Sequence, residues 1–223
     1  MKTKHKGTPR PGLTKLRVIE AAVSVADANG LDALSMRRLG QELGVEAMSL
    51  YKHIANKEDL LDGIVDHVAG EIALPPIGGD WKQAMRRRAT SAHRVLLRHP
   101  WATLLFVSRP NVGPAMLRYI DATLGCLHAA GFSYPLADHA WNAIDSHVYG
   151  STLLELNFPF RPDEYASAAA HFLPMLPPEQ YPHMRALSQL VIAGEHDGRH
   201  DFELGITLIL DGLERLRVSE RRA

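Results

Sequence analysis

The segment from Glu42 to Leu61, ELGVEAMSLYKHIANKEDLL, restricts the possible folds of this chain more than any other segment. It contains two short runs with apolar residues at helical spacing, and Gly44 separates the two runs. Glycine can adopt the left-handed conformation that ends a helix without a steric penalty. Because Val45, Leu50 and Ile54 can then point inward, the segment predicts two short helices that meet at a tight turn.

Helical periodicity also dominates the rest of the sequence, and no stretch shows the sustained alternation of a strand. Thr14 can cap a first helix that ends near Gly30, and Ser35 can open the next helix. Asn56 can cap a fourth helix, with Asp59 at its third position. Further helices are expected near residues 81–98, 101–107, 113–130, 135–157, 163–173, 183–194 and 201–218. The predicted fold class is therefore all-α.

Charge is unevenly distributed along the chain although the formal net charge is zero. The first 57 residues contain ten Lys and Arg and five Asp and Glu, so they carry a net charge of +5 and the remainder carries −5. A basic module joined to an acidic remainder is typical of a segment that meets a polyanion. The basic arm at 1–13 can contact a DNA minor groove or can be a solubilising tail, and the sequence leaves both interpretations open.

Other sequence features argue against a disulfide-bonded, a membrane-spanning or a catalytic protein. Cys126 is the single cysteine, which excludes a disulfide framework and favours the cytoplasm. No apolar run approaches the roughly 18 to 20 residues that span a bilayer. A phosphate-binding glycine loop, a nucleophile elbow and an HExxH motif are all missing, so no catalytic site is expected. The segment Glu195–Asp201, EHDGRHD, suggests a metal site, but we interpret it as a polar loop in which Asp201 caps the last helix. No metal or cofactor is predicted.

Residues Leu34 to Ile64, LSMRRLGQELGVEAMSLYKHIANKEDLLDGI, resemble the DNA-binding signature of the tetracycline-repressor (TetR) family. The matching elements are GV, then LYxH, then NKxxLL. SRP at 108–110 and AGFS at 130–133 resemble the C-terminal domain of the tetracycline-repressor type. The resemblance implies an all-helical homodimer with a three-helix DNA-binding head, a connecting fourth helix and a ligand-binding body. The expected organisation is a basic arm at 1–13, a DNA-binding domain at 14–73, a linker at 74–80 and an effector-binding and dimerisation domain at 81–223.

In a helix-turn-helix the second helix enters the major groove of DNA. Leu50 and Ile54 would hold this helix to its own domain, while the opposite face would meet the DNA. Ala47 and Met48 lack hydrogen-bonding side chains, so they would read bases only through thymine methyl groups or through DNA shape. The expected DNA-contacting residues are Arg37, Arg38, Ala47, Met48, Ser49, Tyr51, Lys52, His53 and Lys57.

The body is expected to hold a pocket lined mainly by apolar and aromatic side chains. The resemblance places two drug-contacting histidines of the tetracycline-binding relatives at positions that are Leu105 and Ala73 here, so a largely hydrophobic effector is expected instead of magnesium–tetracycline. The resemblance implies that filling the pocket displaces the fourth helix and changes the spacing of the two recognition helices. The candidate lining residues, for each of which core packing is the alternative, are Trp101, Leu105, Phe106, Met116, Tyr119, Trp141, Asp145 and His147.

The last helix is apolar around more of its circumference than one core requires. It is expected to form a four-helix bundle with residues 135–157 and with the same helices of a second copy, unless it is buried wholly within one subunit. The expected interface residues are Leu153, Leu154, Ile206, Ile209 and Leu213. The predicted function is a ligand-responsive transcriptional repressor that binds a palindromic DNA operator as a homodimer. A constitutive DNA-binding or nucleoid-organising protein and an activator of the same fold are the alternatives.

Overall fold

The structure is a computed structural model that describes residues 12–161, 164–198 and 200–220. Every regular element within these ranges is helical, which confirms the predicted fold class. All but the last two residues of the predicted arm at 1–13 lie outside the described residues. The chain divides into two compact units, Met1–Gly131 and Phe132–Ala223. The linker predicted at 74–80 lies within the first unit, and its role as a domain boundary stays a prediction.

Seven α-helices form the described part of the first unit, and four form that of the second. The helices of the first unit are α1 (Lys15–Asn29), α2 (Met36–Leu43), α3 (Ala47–Leu50), α4 (Lys57–Ala69), α5 (Trp81–Arg98), α6 (Ala102–Ser108) and α7 (Pro114–Ala129). The second unit contains α8 (Tyr134–Leu156), α9 (Tyr165–Phe172), α10 (Pro182–Ile192) and α11 (Phe202–Glu220). From α5 onward the predicted ends agree with the observed ones to within two residues.

Side-chain caps explain where three of the first helices begin. Thr14, Ser35 and Asn56 each accept a hydrogen bond from the backbone N–H three residues further on, at 3.3, 3.2 and 2.9 Å. These bonds satisfy donors that a helix start otherwise leaves without an intrahelical partner. Gly30 ends α1 at a φ of 77°, and its N–H donates to the Ala26 carbonyl at 2.8 Å. The three caps and this stop confirm the ends predicted from sequence.

The core of the predicted DNA-binding head forms where α1 packs against α2 and α4, and α2 packs against α3. Val18, Leu39, Leu50 and Ile54 are completely buried there. The inward positions predicted for Leu50 and Ile54 are therefore confirmed, whereas Val45 is only half-buried. The second short helix is also shorter than expected, because α3 ends at Leu50 and the chain continues as a turn.

Asp59 fastens the start of α4 to α1. Its carboxylate accepts from Lys15 Nζ at 2.7 Å and from the Ala55 N–H at 2.8 Å. The hydrogen bond from Lys15, followed by the one from Ala55, lowers the pKa of Asp59 below its ordinary value of 3.8. The charged form is thus favoured in the folded state.

This shift predicts a loss of stability in acid. A carboxyl group whose pKa is lowered on folding contributes stability above its unfolded pKa and loses that contribution as pH falls through the folded pKa. We expect Asp59→Asn to lower the free energy of unfolding by roughly 0.5 to 1 kcal/mol at pH 7 and to make progressively less difference as the pH falls below 3.8. Urea unfolding across this pH range measures the effect. Asp32→Asn, at an exposed position, is the control, and an equal pH dependence in both variants would contradict the assignment.

One part-buried and one buried polar contact connect other segments of the first unit. Asp27 Oδ1 in α1 accepts from Trp101 Nε1 at 2.7 Å and lies 2.8 Å from His99 Nδ1. Arg88 in α5, 1% exposed, donates to the hydroxyl of Tyr119 in α7, and its guanidinium carbon lies 5.0 Å from the Tyr119 ring centroid. Buried polar groups of this kind specify one arrangement of the helices, because leaving a buried partner unsatisfied is costly.

In the second unit α8 packs against α11 and α9 packs against α10. His147 of α8 holds the first pair together, because its Nε2 lies 3.0 Å from the Phe202 carbonyl oxygen and its ring stacks on the Phe202 ring at a centroid distance of 5.1 Å. A Cβ on Gly205 would overlap the His147 ring, so the two helices approach closely there. Asp201 caps α11 as predicted, accepting from the Leu204 N–H at 2.9 Å.

None of the helices in the described residues combines the length and the apolar character needed to cross a membrane. Within the same ranges, no group of three or more His, Cys, Asp or Glu side chains is arranged to hold a metal ion. Cys126 is buried, and burial raises the pKa of its thiol. Its surroundings are those of a small apolar core residue.

Candidate nucleic-acid interface

The turn between α2 and α3 is closed by backbone hydrogen bonds. Gly44 has a φ of 66° and a ψ of 37°, in the left-handed region that favours glycine. Its N–H donates to the Gln41 carbonyl at 3.2 Å, and the Val45 N–H donates to the Gly40 carbonyl at 2.9 Å. The chain therefore reverses within a few residues and enters α3 directly, as the glycine at position 44 predicts.

A second glycine, which sequence reasoning missed, sets how closely α3 can lie against α2. A Cβ at Gly40 would lie 2.8 Å from the Val45 carbonyl oxygen and 3.2 Å from the Ala47 backbone nitrogen. Backbone atoms cannot rotate aside as a side chain can. A glycine inside a helix costs about 1 kcal/mol relative to alanine, so its presence within α2 was the available signal of a close backbone approach.

The predicted DNA-contacting residues lie at or near the surface of this segment. Leu50 and Ile54 hold it to the core, and the side chains around them face away from that core. Met48, 75% exposed, is the most exposed apolar residue among them. The exposed members of the set are Arg37, Arg38, Met48, Tyr51, Lys52 and Lys57, and the half-buried members are Ala47, Ser49 and His53.

Hydrogen bonding restricts what Ser49 can do at this surface. Its hydroxyl donates to the Glu46 carbonyl at 2.6 Å, so the hydrogen is already used and the oxygen remains available as an acceptor. An acceptor at this position suits the amino group of adenine or cytosine in the major groove. Lys57 stands at the first position of α4, where backbone N–H groups also favour a phosphate.

Three carboxylates on α4, at Glu58, Asp62 and Asp66, are spaced four residues apart. They bind Arg109, which follows α6, and the first turn of α7. Arg109 contacts two of them, with Nη2 2.6 Å from Asp62 Oδ1 and Nη1 2.6 Å from Glu58 Oε2. These bonds, with Asp62 first, raise the pKa of Arg109. The third, Asp66, accepts from the N–H groups of Ala115 and Met116 at 2.8 and 2.9 Å. We call Arg109 with these three carboxylates the α4 clamp.

The α4 clamp was not recognised from sequence. The spacing of Glu58, Asp62 and Asp66 was visible and places all three on one helix face, but such a run normally marks a solvated surface. A Cβ at Gly113 would overlap the Asp66 side chain, which shows how closely the connection between α6 and α7 lies against α4. Helix α4 leads directly from the head, so the clamp joins the head to the rest of the first unit.

The predicted pocket residues are divided between the two units. In the first unit Phe106 and Met116 are buried and Leu105 is half-buried, whereas Trp101 and Tyr119 use their polar atoms in the contacts with Asp27 and Arg88. In the second unit Trp141 Nε1 donates to Asp145 Oδ2 at 2.7 Å, and His147 is wedged against α11. Trp101 and His147 thus have structural contacts of their own, and the ligand assignment of all eight residues stays a prediction.

The predicted dimer residues divide in the same way. Ile206 and Leu213 are 0% and 6% exposed within a single chain, so their side chains belong to the subunit's own core. Leu153 and Ile209 are half-buried, and Leu154 is exposed. The exposed apolar residues on α8 and α11 that a second copy could cover are Leu154, Leu156, Leu204, Leu208 and Leu216. Burial within one chain gives Ile206 and Leu213 a core role, and the assignment of the five residues to a dimer interface stays a prediction.

Comparison with known proteins identifies both parts of the chain. Residues 18–64 match the family described as bacterial regulatory proteins, tetR family, and residues 74–217 match the tetracyclin repressor-like C-terminal domain. The HTH-type transcriptional repressor DrrR1 of Streptomyces coeruleorubidus is 36% identical over 224 residues, covering 96% of this chain and 82% of DrrR1. The tetracycline repressor protein class D of Escherichia coli is 28% identical over 206 residues, covering 91% of this chain and 89% of that protein.

Solved structures agree with this result. The TetR family protein ActR of Streptomyces coelicolor, in complex with (S)-DNPA, superposes with a TM-score of 0.78 at 31% identity, covering 92% of this chain and 99% of that one. The matches to both domains agree with the helix-turn-helix geometry and with the similarity over almost the whole chain. This chain belongs to the tetracycline-repressor (TetR) family of bacterial transcriptional regulators.

Proposed function

We propose that this protein is a transcriptional repressor that binds a palindromic DNA operator as a homodimer and is released by a small-molecule effector. The surface around α3 carries the proposal, because buried Leu50 and Ile54 leave Met48 exposed on a short helix, and Tyr51 and Lys52 exposed just after it. DrrR1 is named a transcriptional repressor, and ActR was solved with a bound small molecule. Regulation of genes, without catalysis and in the cytoplasm where the DNA lies, is the role that these observations support.

The proposed DNA contacts separate into two groups. Arg37, Arg38, Tyr51 and Lys57 provide charge or a hydroxyl for phosphates, which position the head without reading sequence. The side chains in and just after α3 are the ones that can reach base edges, and they are Ala47, Met48, Ser49, Lys52 and His53. Two heads related by a two-fold axis would read two half-sites about 34 to 36 Å apart.

DNA footprinting and fluorescence anisotropy test this proposal. We expect a footprint with dyad symmetry and an affinity that falls steeply with salt, because Lys and Arg displace counterions from DNA. Lys57→Ala should weaken all sequences by a similar factor and reduce the salt slope by about one. Lys52→Ala should instead change which sequences bind. A footprint without a dyad, or binding indifferent to sequence, would favour the nucleoid-organising alternative.

The α4 clamp is the proposed route from effector to DNA. An effector changes DNA affinity only if it favours one of two arrangements of the protein. Because Arg109 and the N-terminus of α7 bind α4 directly, a movement of α6 or α7 would be passed to α4 and so to the head. By linkage, the effector must bind the DNA-free protein more tightly than the DNA-bound protein.

The effector is proposed to be largely hydrophobic and not magnesium–tetracycline. The two positions expected to supply histidines for that drug are Leu105 and Ala73, and neither side chain can bind a metal. Thermal-shift measurements with tetracycline and magnesium should therefore show no stabilisation, whereas a bound effector would raise the melting temperature. A tetracycline-dependent shift that is abolished by EDTA would reject this part of the proposal.

A further inference from the structure

A groove of about 430 Å³ lies along the exposed side of α5, apart from the interface around α3. Its described lining residues include a single acid, Glu71, which follows α4. The lining also includes four arginines, so its net charge is +3. The arginines are Arg86, Arg87, Arg94 and Arg98.

The positive charge of this groove is not balanced along its own helix. From Trp81 to Arg98 the sequence contains no Asp or Glu, so no acid stands one turn from any of these arginines on α5. Arg98 contacts Glu71 at 2.5 Å, and Arg87 donates to the neutral Gln83 at 3.2 Å. A solvated helix face normally mixes both signs of charge, which this one does not.

The spacing of the arginines suits a ligand with more than one anionic group. Arg87, Arg94 and Arg98 lie seven and four residues apart, which on a helix is about 10 and 6 Å along one side. Thr90 and Ser91 also line the groove between them, and Ser91 Oγ accepts from the Ala73 N–H at 2.9 Å. Guanidinium groups bind carboxylate and phosphate oxygens in paired hydrogen bonds. The volume lies within the range of about 300 to 1,000 Å³ that small-molecule sites occupy.

We propose that this groove is a second ligand site, for a small anion that carries at least two phosphate or carboxylate groups. Glu71 argues for a compact anion over a nucleic acid. Its carboxylate stands at the Arg98 end, where a phosphate backbone running the length of α5 would meet a like charge. A compact anion can bind Arg87 and Arg94 and remain clear of it.

Calorimetric titration of the full, DNA-free protein tests the site, with tripolyphosphate and citrate as probes at constant ionic strength. We expect saturable binding of one anion per chain by at least one probe, and the two probes distinguish a phosphate from a carboxylate ligand. Arg87→Gln and Arg94→Gln should each weaken binding by at least about fivefold, because each removes a charge-assisted contact. Arg118→Gln, an exposed arginine of α7 outside the groove, should change it by less than about twofold.

Two outcomes would overturn the proposal. The first is a failed anion titration, in which either no saturable binding is seen or all three substitutions weaken binding equally. Equal weakening would show only a general effect of net charge. The second comes from the same variants titrated with duplex DNA. If Arg87→Gln and Arg94→Gln weaken DNA binding more than Arg118→Gln does, the groove is a contact for the DNA backbone. The anion titrations contain no DNA, so their failure is distinguishable from failure of the proposed repressor function.

Discussion

Replacing Gly40 by alanine should abolish specific DNA binding. The new Cβ would lie 2.8 Å from the Val45 carbonyl oxygen and would force α3 away from α2. Overpacking of this kind typically costs about 1 to 3 kcal/mol of stability. The displaced α3 would no longer place its side chains at the proper depth in the major groove of DNA. Operator affinity should therefore fall by at least about a hundredfold, equivalent to about 2.7 kcal/mol. Anisotropy titrations and urea unfolding measure the two effects.

Gly125→Ala is the matched control, because it makes the same substitution within another helix of the first unit. A Cβ there would lie 3.5 Å from the end of the Ile77 side chain, an ordinary contact. The gain in helix propensity should make this variant neutral or more stable by up to about 1 kcal/mol, with unchanged DNA affinity. Gly40→Val should be worse than Gly40→Ala. If Gly40→Ala bound the operator as tightly as Gly125→Ala, the close approach of the two helices would have no functional meaning.

Asp66→Ala should produce the second large effect, by opening the α4 clamp. The substitution removes the acceptor of two N–H groups at the start of α7 and leaves them without this cap. Loss of a helix cap costs about 0.5 to 2 kcal/mol, and loss of the carboxylate beside the positive end of the helix dipole adds to it. We expect faster hydrogen exchange in α4 and an operator affinity reduced at least about tenfold, because the spacing of the two heads is no longer held.

Two further variants separate charge from geometry in the clamp. Asp66→Asn keeps an oxygen that can accept the same hydrogen bonds, so it should retain most of the operator affinity. Arg109→Gln removes both ion pairs on the other side of the clamp and should also raise exchange in α4. Affinity for unrelated DNA should stay constant in all three, because the residues proposed to contact phosphates are untouched. Normal operator binding by Asp66→Ala would refute the proposed role of the clamp.

The DNA-binding surface was largely predictable because its signals are local. Gly44 stands where a left-handed residue must end α2, and Asn56 stands one residue before α4. The inward positions of Leu50 and Ile54 follow from their spacing, and that spacing determines which neighbours remain exposed. The pocket and dimer residues were harder to predict, because an apolar side chain looks the same in a sequence whether it lines a pocket, an interface or a core. Ile206 and Leu213 show the result, since both are buried within one subunit.

The sequence alone determined the helices, their caps, the turn between α2 and α3 and the family of the protein. These features depend on residues within about one helical turn of each other, so backbone propensity and capping decide them. The tertiary structure alone decided three contacts. Gly40 lies against Val45, Asp27 accepts a hydrogen bond from the Trp101 indole, and Arg109 binds α4. The contacts of Asp27 and Arg109 join residues that are distant in the chain. At Gly40 the residues are close in the chain, but only the folded turn brings the backbones of α2 and α3 together. Long-range packing determines which residues meet, and no local propensity encodes it.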